Sequence, residues 1–118
     1  MEFKFKKLVD LETRKKQSKE LLKRNPKKIP IILEKDPKCQ LVPILKTKYL
    51  IQDEFSASQF IKMVKSLLNI SEYEALFLTA KGKYSITGQK SMSQIYKDFK
   101  DKEDGFLYIT YTTELVYG

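Results

Sequence analysis

A chain of 118 residues, 42% apolar and 32% charged, has room for one globular domain with a modest core. No apolar run nears the roughly 20 residues of a membrane-spanning helix. The charged opening "MEFKFKKLVDLE" lacks the pattern of a secretory signal, and a lone Cys39 excludes disulfide stapling and cysteine-rich metal sites and fits a cytosolic or nuclear location.

The net charge of +8 is concentrated: eleven basic residues against four acidic ones lie up to Lys28, and twelve against eleven follow. Such a segment suits a solvated face, an acidic partner or an anionic membrane. With only Phe3 and Phe5 interleaved and no nucleic-acid motif after it, the pattern argues against nucleic acid.

In chain order, "LETRKKQSKELLKR" (residues 11–24) is built of helix formers and stopped by Asn25 and Pro26. Its apolar positions are few (Leu8 and Leu11, then Leu21 and Leu22), so it is expected to lie as a basic layer against something else. "KKIPIILEKD" predicts a strand, and Pro30, lacking an N–H, favours an edge position or an extended lead-in. "PKCQLVPIL" connects it to a second short strand, "KTKYLIQ". The period then changes. "SASQFIKMVKSLLNI" opens on a capping box, Ser56 with Gln59, and sets Ala57, Phe60, Ile61, Val64 and Leu68 on one face with Met63 and Leu67 beside it. This is the best-specified helix and is expected to be central.

"EALFLTA" is a third strand with its turn at Gly82. A second capping box, Ser91 with Gln94, starts a short helix "MSQIYKDF" with the stripe Met92, Ile95, Tyr96 and Phe99. "DKEDG" turns the chain into "FLYITYTTELVY", a long strand of aromatic and β-branched residues. The order predicts an α+β fold with a small mixed sheet on one main helix, commonly solved as the ubiquitin-like β-grasp, preceded by one or two N-terminal helices. The expected division is a basic helical extension over 1–27, the β-grasp domain over 28–116 and a tail at 117–118.

Little in the sequence suggests catalysis. There is no histidine, Cys39 has no evident base beside it, the acidic clusters lack calcium-loop spacing, and the glycines form no phosphate cradle. Neither an enzyme nor a bound cofactor or metal is expected, so function falls to surfaces and ends. The end is "ELVYG". A chain may finish on glycine without meaning, but a slim Gly118 projecting beyond a last strand also suits a carboxylate that other enzymes activate as an acyl-adenylate and pass to a thiolate.

The blocks "KRNPKKIPIILEKDPK", "KTKYLIQDEFSASQF", "SEYEALFL", "SQIYKDFKDKEDGFLYITY" and "ELVYG" cover nearly the whole chain. Together they resemble the GABARAP family of ubiquitin-like autophagy modifiers. The resemblance implies two N-terminal helices before a β-grasp core, and adenylation of Gly118 by an activating enzyme. Thioesters on that enzyme and on a conjugating enzyme would follow, then an amide to phosphatidylethanolamine on the forming autophagosome, cut later by a cysteine protease. With nothing after Gly118, that protease would act only in removing the protein from lipid. The free protein would be cytoplasmic, and the lipidated one bound to autophagosomal and related vesicle membranes. Alternatives are conjugation to a protein lysine, or a non-conjugated peptide-binding adaptor of the same fold.

The resemblance also implies recruitment of receptors bearing an aromatic-x-x-aliphatic motif flanked by acids, added to the edge of the "KYLI" strand. Leu21, Pro30, Ile32, Lys48, Leu50 and Phe106 would line the aromatic pocket, and Tyr49, Ile51, Phe55, Phe60 and Met63 the aliphatic one. Lys28, Lys46 and Lys48 would meet the acids. Ile32 and Phe60 also sit in strongly patterned segments and are equally expected in the core. The sequence departs from the family's pattern at Asn25, Leu45, Gln52 and Leu67 and in "AKGKYSITGQK".

Overall fold

In the computed structural model, which describes residues 2–41 and 43–115 (Leu115 by its backbone alone), the chain runs α1 (Lys4–Leu8), α2 (Leu11–Arg24), β1 (Lys28–Lys35) and β2 (Lys48–Gln52). There follow α3 (Ala57–Leu68), β3 (Glu74–Ala80), β4 (Tyr84–Ser85), α4 (Met92–Phe99) and β5 (Leu107–Leu115). The strands lie in the order β2-β1-β5-β3-β4, with β1 parallel to β5 and every other pairing antiparallel. This mixed sheet over a main helix is the ubiquitin-like fold expected from the element order.

The centre of the sheet is covered on both faces. Ile29, Ile31 and Leu33 of β1, with Leu107, Ile109 and Tyr111 of β5, join a core completed by Ala57, Phe60 and Val64 of α3 and Met92 and Ile95 of α4. The alternate residues, Ile32 with Phe106 and Tyr108, form a second cluster with Phe3, against which Phe5 and Leu21 pack. Six consecutive residues of β1 are therefore buried, which is why its sequence reads as an apolar run rather than an alternation.

Pro30 does not mark an edge: β1 is an interior strand between β2 and β5. The Leu33 N–H donates to the Thr47 carbonyl at 2.8 Å, so odd-numbered residues of β1 point their N–H groups toward β2. Pro30 faces the other side, one residue before the β5 ladder begins at Ile31 opposite Leu107. No ladder bond is lost there.

The Ser56–Gln59 capping box closes in both directions, at 3.2 and 2.9 Å. The second box is half-made: Ser91 accepts from the Gln94 N–H at 3.2 Å, but the Gln94 side chain donates forward to Asp98 at 2.9 Å. The last strand was expected to run to Tyr117. β5 is described as far as Leu115, and residues 116–118, including the tail and Gly118, lie outside the described residues.

Candidate functional site

Among the described residues β2 is an end strand of the sheet, paired with β1 alone from Lys28 opposite Gln52 to Ile32 opposite Lys48. Its outer row of backbone groups is open to an added strand. Its side chains alternate. Tyr49 and Ile51 point into the main core, whereas Lys48, and by period Leu50, face the N-terminal helices. Lys48 Nζ donates to Gln17 Oε1 of α2 at 2.8 Å and stands 5.3 Å from the Phe5 ring centre.

On that side Pro30, Ile32 and Phe106 are fully buried, while Leu21, Lys48 and Leu50 are half-buried. The three buried residues form a floor and the other three a rim. Phe5 lies over the floor, edge-on to Phe106 with ring centres 5.2 Å apart, and Phe3 packs edge-on to Tyr108 at 4.9 Å. α1 is held there by β1. Phe3 at its N-cap has no capping side chain, and the buried Glu34 carboxylate instead accepts the Lys4 and Phe5 N–H groups at 2.8 and 3.0 Å. That placement suits the positive end of a helix.

α2 is fixed by a buried cluster around Asp104, in the turn before β5. Arg14 Nε donates to Asp104 Oδ2 at 2.8 Å, and the Tyr108 hydroxyl donates to the same oxygen at 2.5 Å. Arg14 also donates to the Val9 carbonyl at 2.6 Å, and Ser18 to the Asp104 carbonyl. Burial, reinforced by the bond to Asp104, raises the Tyr108 pKa far above its ordinary value. Burial acts to lower the Arg14 pKa and is the largest single influence, but its hydrogen bond to Asp104 together with the charges of Tyr108, Asp104 and Asp101 makes the net shift upward. Gly105 has φ +82° and lies so close to Ser18 that an added Cβ would sit 2.9 Å from its hydroxyl. Beside this cluster Lys6 donates to Asp101 at 2.6 Å. Burial would raise the Asp101 pKa, but Lys6 and the Asp104 and Glu103 N–H groups hold it below its ordinary value.

On the other side Tyr49, Phe55 and Met63 are half-buried, Ile51 is nearly covered and Phe60 is fully buried. Phe60 is a core residue here. Phe55 is placed by its N–H on the Gln52 carbonyl at 3.1 Å and by its own carbonyl, which accepts the Met92 N–H at 2.6 Å. The Tyr49 hydroxyl donates to the Lys46 carbonyl at 2.7 Å, and Lys46 Nζ lies 5.0 Å from the Tyr49 ring centre. Burial, with the nearby Tyr111, raises the Tyr49 pKa. The three lysines are divided: Lys46 and Lys48 flank the start of β2, and Lys28 stands opposite its end.

This arrangement has close counterparts. A family profile described as "Autophagy protein Atg8 ubiquitin like" matches residues 13–118. Autophagy-related protein 8e of Arabidopsis thaliana is 37% identical over 109 residues, 92% of this chain and 88% of that protein. Microtubule-associated protein 1 light chain 3 gamma of Homo sapiens is 33% identical over 115 residues, 97% of this chain and 78% of that protein. The crystal structure of Trypanosoma brucei ATG8 superposes with a TM-score of 0.90 at 26% identity, covering all of both chains. The chain belongs to the Atg8 family. The wider family, rather than its GABARAP branch, is what these similarities establish.

In this Atg8 protein several residues that shape the site gave little sequence signal. Glu34 reads as the polar end of a strand, Arg14 as one basic residue among many, and Asp104 as part of an acidic turn. Phe3 and Phe5 were visible only as aromatics in a basic segment. Two aromatics spaced to share a face, just before a helix with few apolar residues, were the available hint that this layer is anchored from its N-terminal side. Among the described residues no cluster of acids or cysteine suits a metal, and no helix is long and apolar enough to cross a membrane.

Proposed function

We propose that this Atg8 protein is conjugated through Gly118 to phosphatidylethanolamine and, so anchored, gathers receptors whose aromatic-x-x-aliphatic motif adds as a strand to β2. The observation that carries the recruiting half is the open β2 edge, with side chains leading to an apolar cluster on each face of the sheet. Membership of a ubiquitin-like autophagy family supports the conjugating half.

The aromatic side chain enters between α2 and β2, meeting the rim of Leu21, Lys48 and Leu50 above the floor of Pro30, Ile32 and Phe106, and Phe5 gives way to it. The aliphatic side chain settles on Tyr49, Ile51, Phe55 and Met63, with Phe60 supporting them from the core. Lys46 and Lys48 receive acids before the motif and Lys28 acids after it. At Gly118 an activating enzyme forms the acyl-adenylate with release of pyrophosphate. Cysteines of the activating and then a conjugating enzyme hold the acyl group as thioesters, and the amine of the lipid displaces the last thiolate to form the amide. A cysteine protease later hydrolyses that amide. The free form is cytoplasmic and the conjugate lies on autophagosomal and related vesicle membranes.

Titration with a peptide of sequence acid-acid-Trp-x-x-Leu tests the recruiting half. Saturable binding that is lost in Leu50→Glu, whose side chain is only half-buried, with the fold retained by circular dichroism, supports it, and no binding to the folded protein contradicts it. An isopeptide-linked protein instead of a lipid adduct would favour conjugation to lysine. Peptide binding without any adduct would favour a plain adaptor.

A further inference from the structure

Beyond the start of β2 lies a cleft of about 500 Å³ between α1 and the 43–47 connection. Leu8 and Val9 line one wall, and Pro43, Ile44, Leu45 and Thr47 the other. Leu8 and Leu45 are 83% and 103% exposed, two large apolar side chains facing water at one cleft. Of the two carboxylates in its lining, buried Glu34 accepts the Lys4 and Phe5 N–H groups and exposed Glu2 is paired with Lys7 at 3.6 Å, so neither stands unpaired against an apolar guest.

The cleft is continuous with the strand-addition edge, since Thr47 both lines it and extends the β1–β2 pairing through its carbonyl. The direction of an added peptide follows from the two pockets. On β2 the aromatic side is marked by Lys48 and Leu50, and the aliphatic side by Tyr49, Ile51 and then Phe55. Residues i and i+3 of a strand point to opposite faces about 10 Å apart along it. The aromatic residue, which comes first, lies nearer Lys48, and the aliphatic one nearer Phe55, so the peptide runs parallel to β2. Its residues before the aromatic pass Lys46 and Lys48, which suits the acids, and then reach Leu45 and the cleft, about 10–16 Å upstream at the rise of a strand.

We infer that this cleft takes an apolar side chain three to five residues before the aromatic one, in the same partner peptide. The occupant is thus the upstream arm of an acidic receptor segment, and the recognised unit is longer than the four-residue motif. The inference rests on the strand-addition reading of β2 and extends it to a third contact.

The test uses a leaderless peptide Asp-Asp-Trp-x-x-Leu and forms of it extended upstream by a Gly/Ser leader carrying one Leu at three, four or five residues before the Trp, or none. Calorimetric titration is expected to show a gain of about five- to tenfold in affinity at one of the three positions over the Leu-free leader. In the Leu8→Ser/Leu45→Ser double variant the gain should fall below about twofold, while the leaderless peptide binds as to the unaltered protein; both side chains are exposed, so folding is spared. No gain at any position, or a gain that survives the double substitution, overturns the third contact alone. Failure of the leaderless peptide to bind the unaltered protein overturns the β2 reading and the third contact together.

Discussion

Asp104 ties the N-terminal layer to the body through two residues of α2, Arg14 and Ser18. Its carboxylate accepts from Arg14, Tyr108 and the Phe106 N–H, and its carbonyl accepts from Ser18. Its side chain is fully buried and that of Arg14 is 11% exposed, so truncating the acid strands a covered guanidinium. Asp104→Ala should cost about 3–5 kcal/mol in urea unfolding. A loss under about 1 kcal/mol would place Arg14 in water. Tyr108 gives a pH signature. Its pKa is raised in the folded state from an ordinary 10.0, chiefly by burial and then by the bond to Asp104. The folded protein keeps this proton where the unfolded chain releases it, so the contribution to stability is whole below pH 10 and declines as pH rises above it. Tyr108→Phe should flatten that alkaline decline in thermal melts. Tyr49, Tyr96 and Tyr111 are shifted in the same direction, so some slope will remain.

Among the elements, those whose signals are local were legible. α3 declared itself through a capping box and one apolar face, and both are present. Ser56→Ala should cost about 1 kcal/mol, with Gln59→Ala adding its own loss because its side chain returns to the cap. Gln94→Ala should be nearly silent, since that glutamine meets only exposed Asp98; equal losses for the two glutamines would contradict the half-made second box. For elements that depend on distant partners, the bounds and the anchoring were not legible. α1, expected only as one of one or two N-terminal helices and without bounds, takes its cap from Glu34, thirty residues away in sequence, so no local pattern fixes where it starts. Glu34→Gln should speed amide exchange at Lys4 and Phe5 while leaving α3 protected. Unchanged exchange there would mean α1 is held by its aromatics alone. Pro30 misled toward an edge because a strand's alignment against each neighbour, which decides whether its missing N–H matters, is invisible one residue at a time.

For the molecule as a whole, the alternation predicted opposite faces for Lys48 and for Tyr49 and Ile51, and the sheet has them so, because period two follows from strand geometry. Depth was harder to read. Ile32 and Phe60 were expected in the core and lie there, but Phe106, assigned to the pocket alone, is also fully buried, and Leu50, Lys48 and Tyr49 are only half-buried. Phe5 lying on Phe106 also had no sequence signature, since it joins the two ends of the chain. What the fold supplies is a five-stranded sheet with β2 at the end that lies beside the basic helical layer. The reacting group proposed for this protein is the carboxylate of Gly118, as an acyl donor to lipid. The most direct test is intact mass after incubation with the cognate activating and conjugating enzymes, ATP and phosphatidylethanolamine liposomes. The expected product is an adduct of one phosphatidylethanolamine less one water on the unaltered protein and none after deletion of Gly118. An unmodified mass, with a control Atg8 protein fully converted by its own enzymes on the same liposomes, would contradict it.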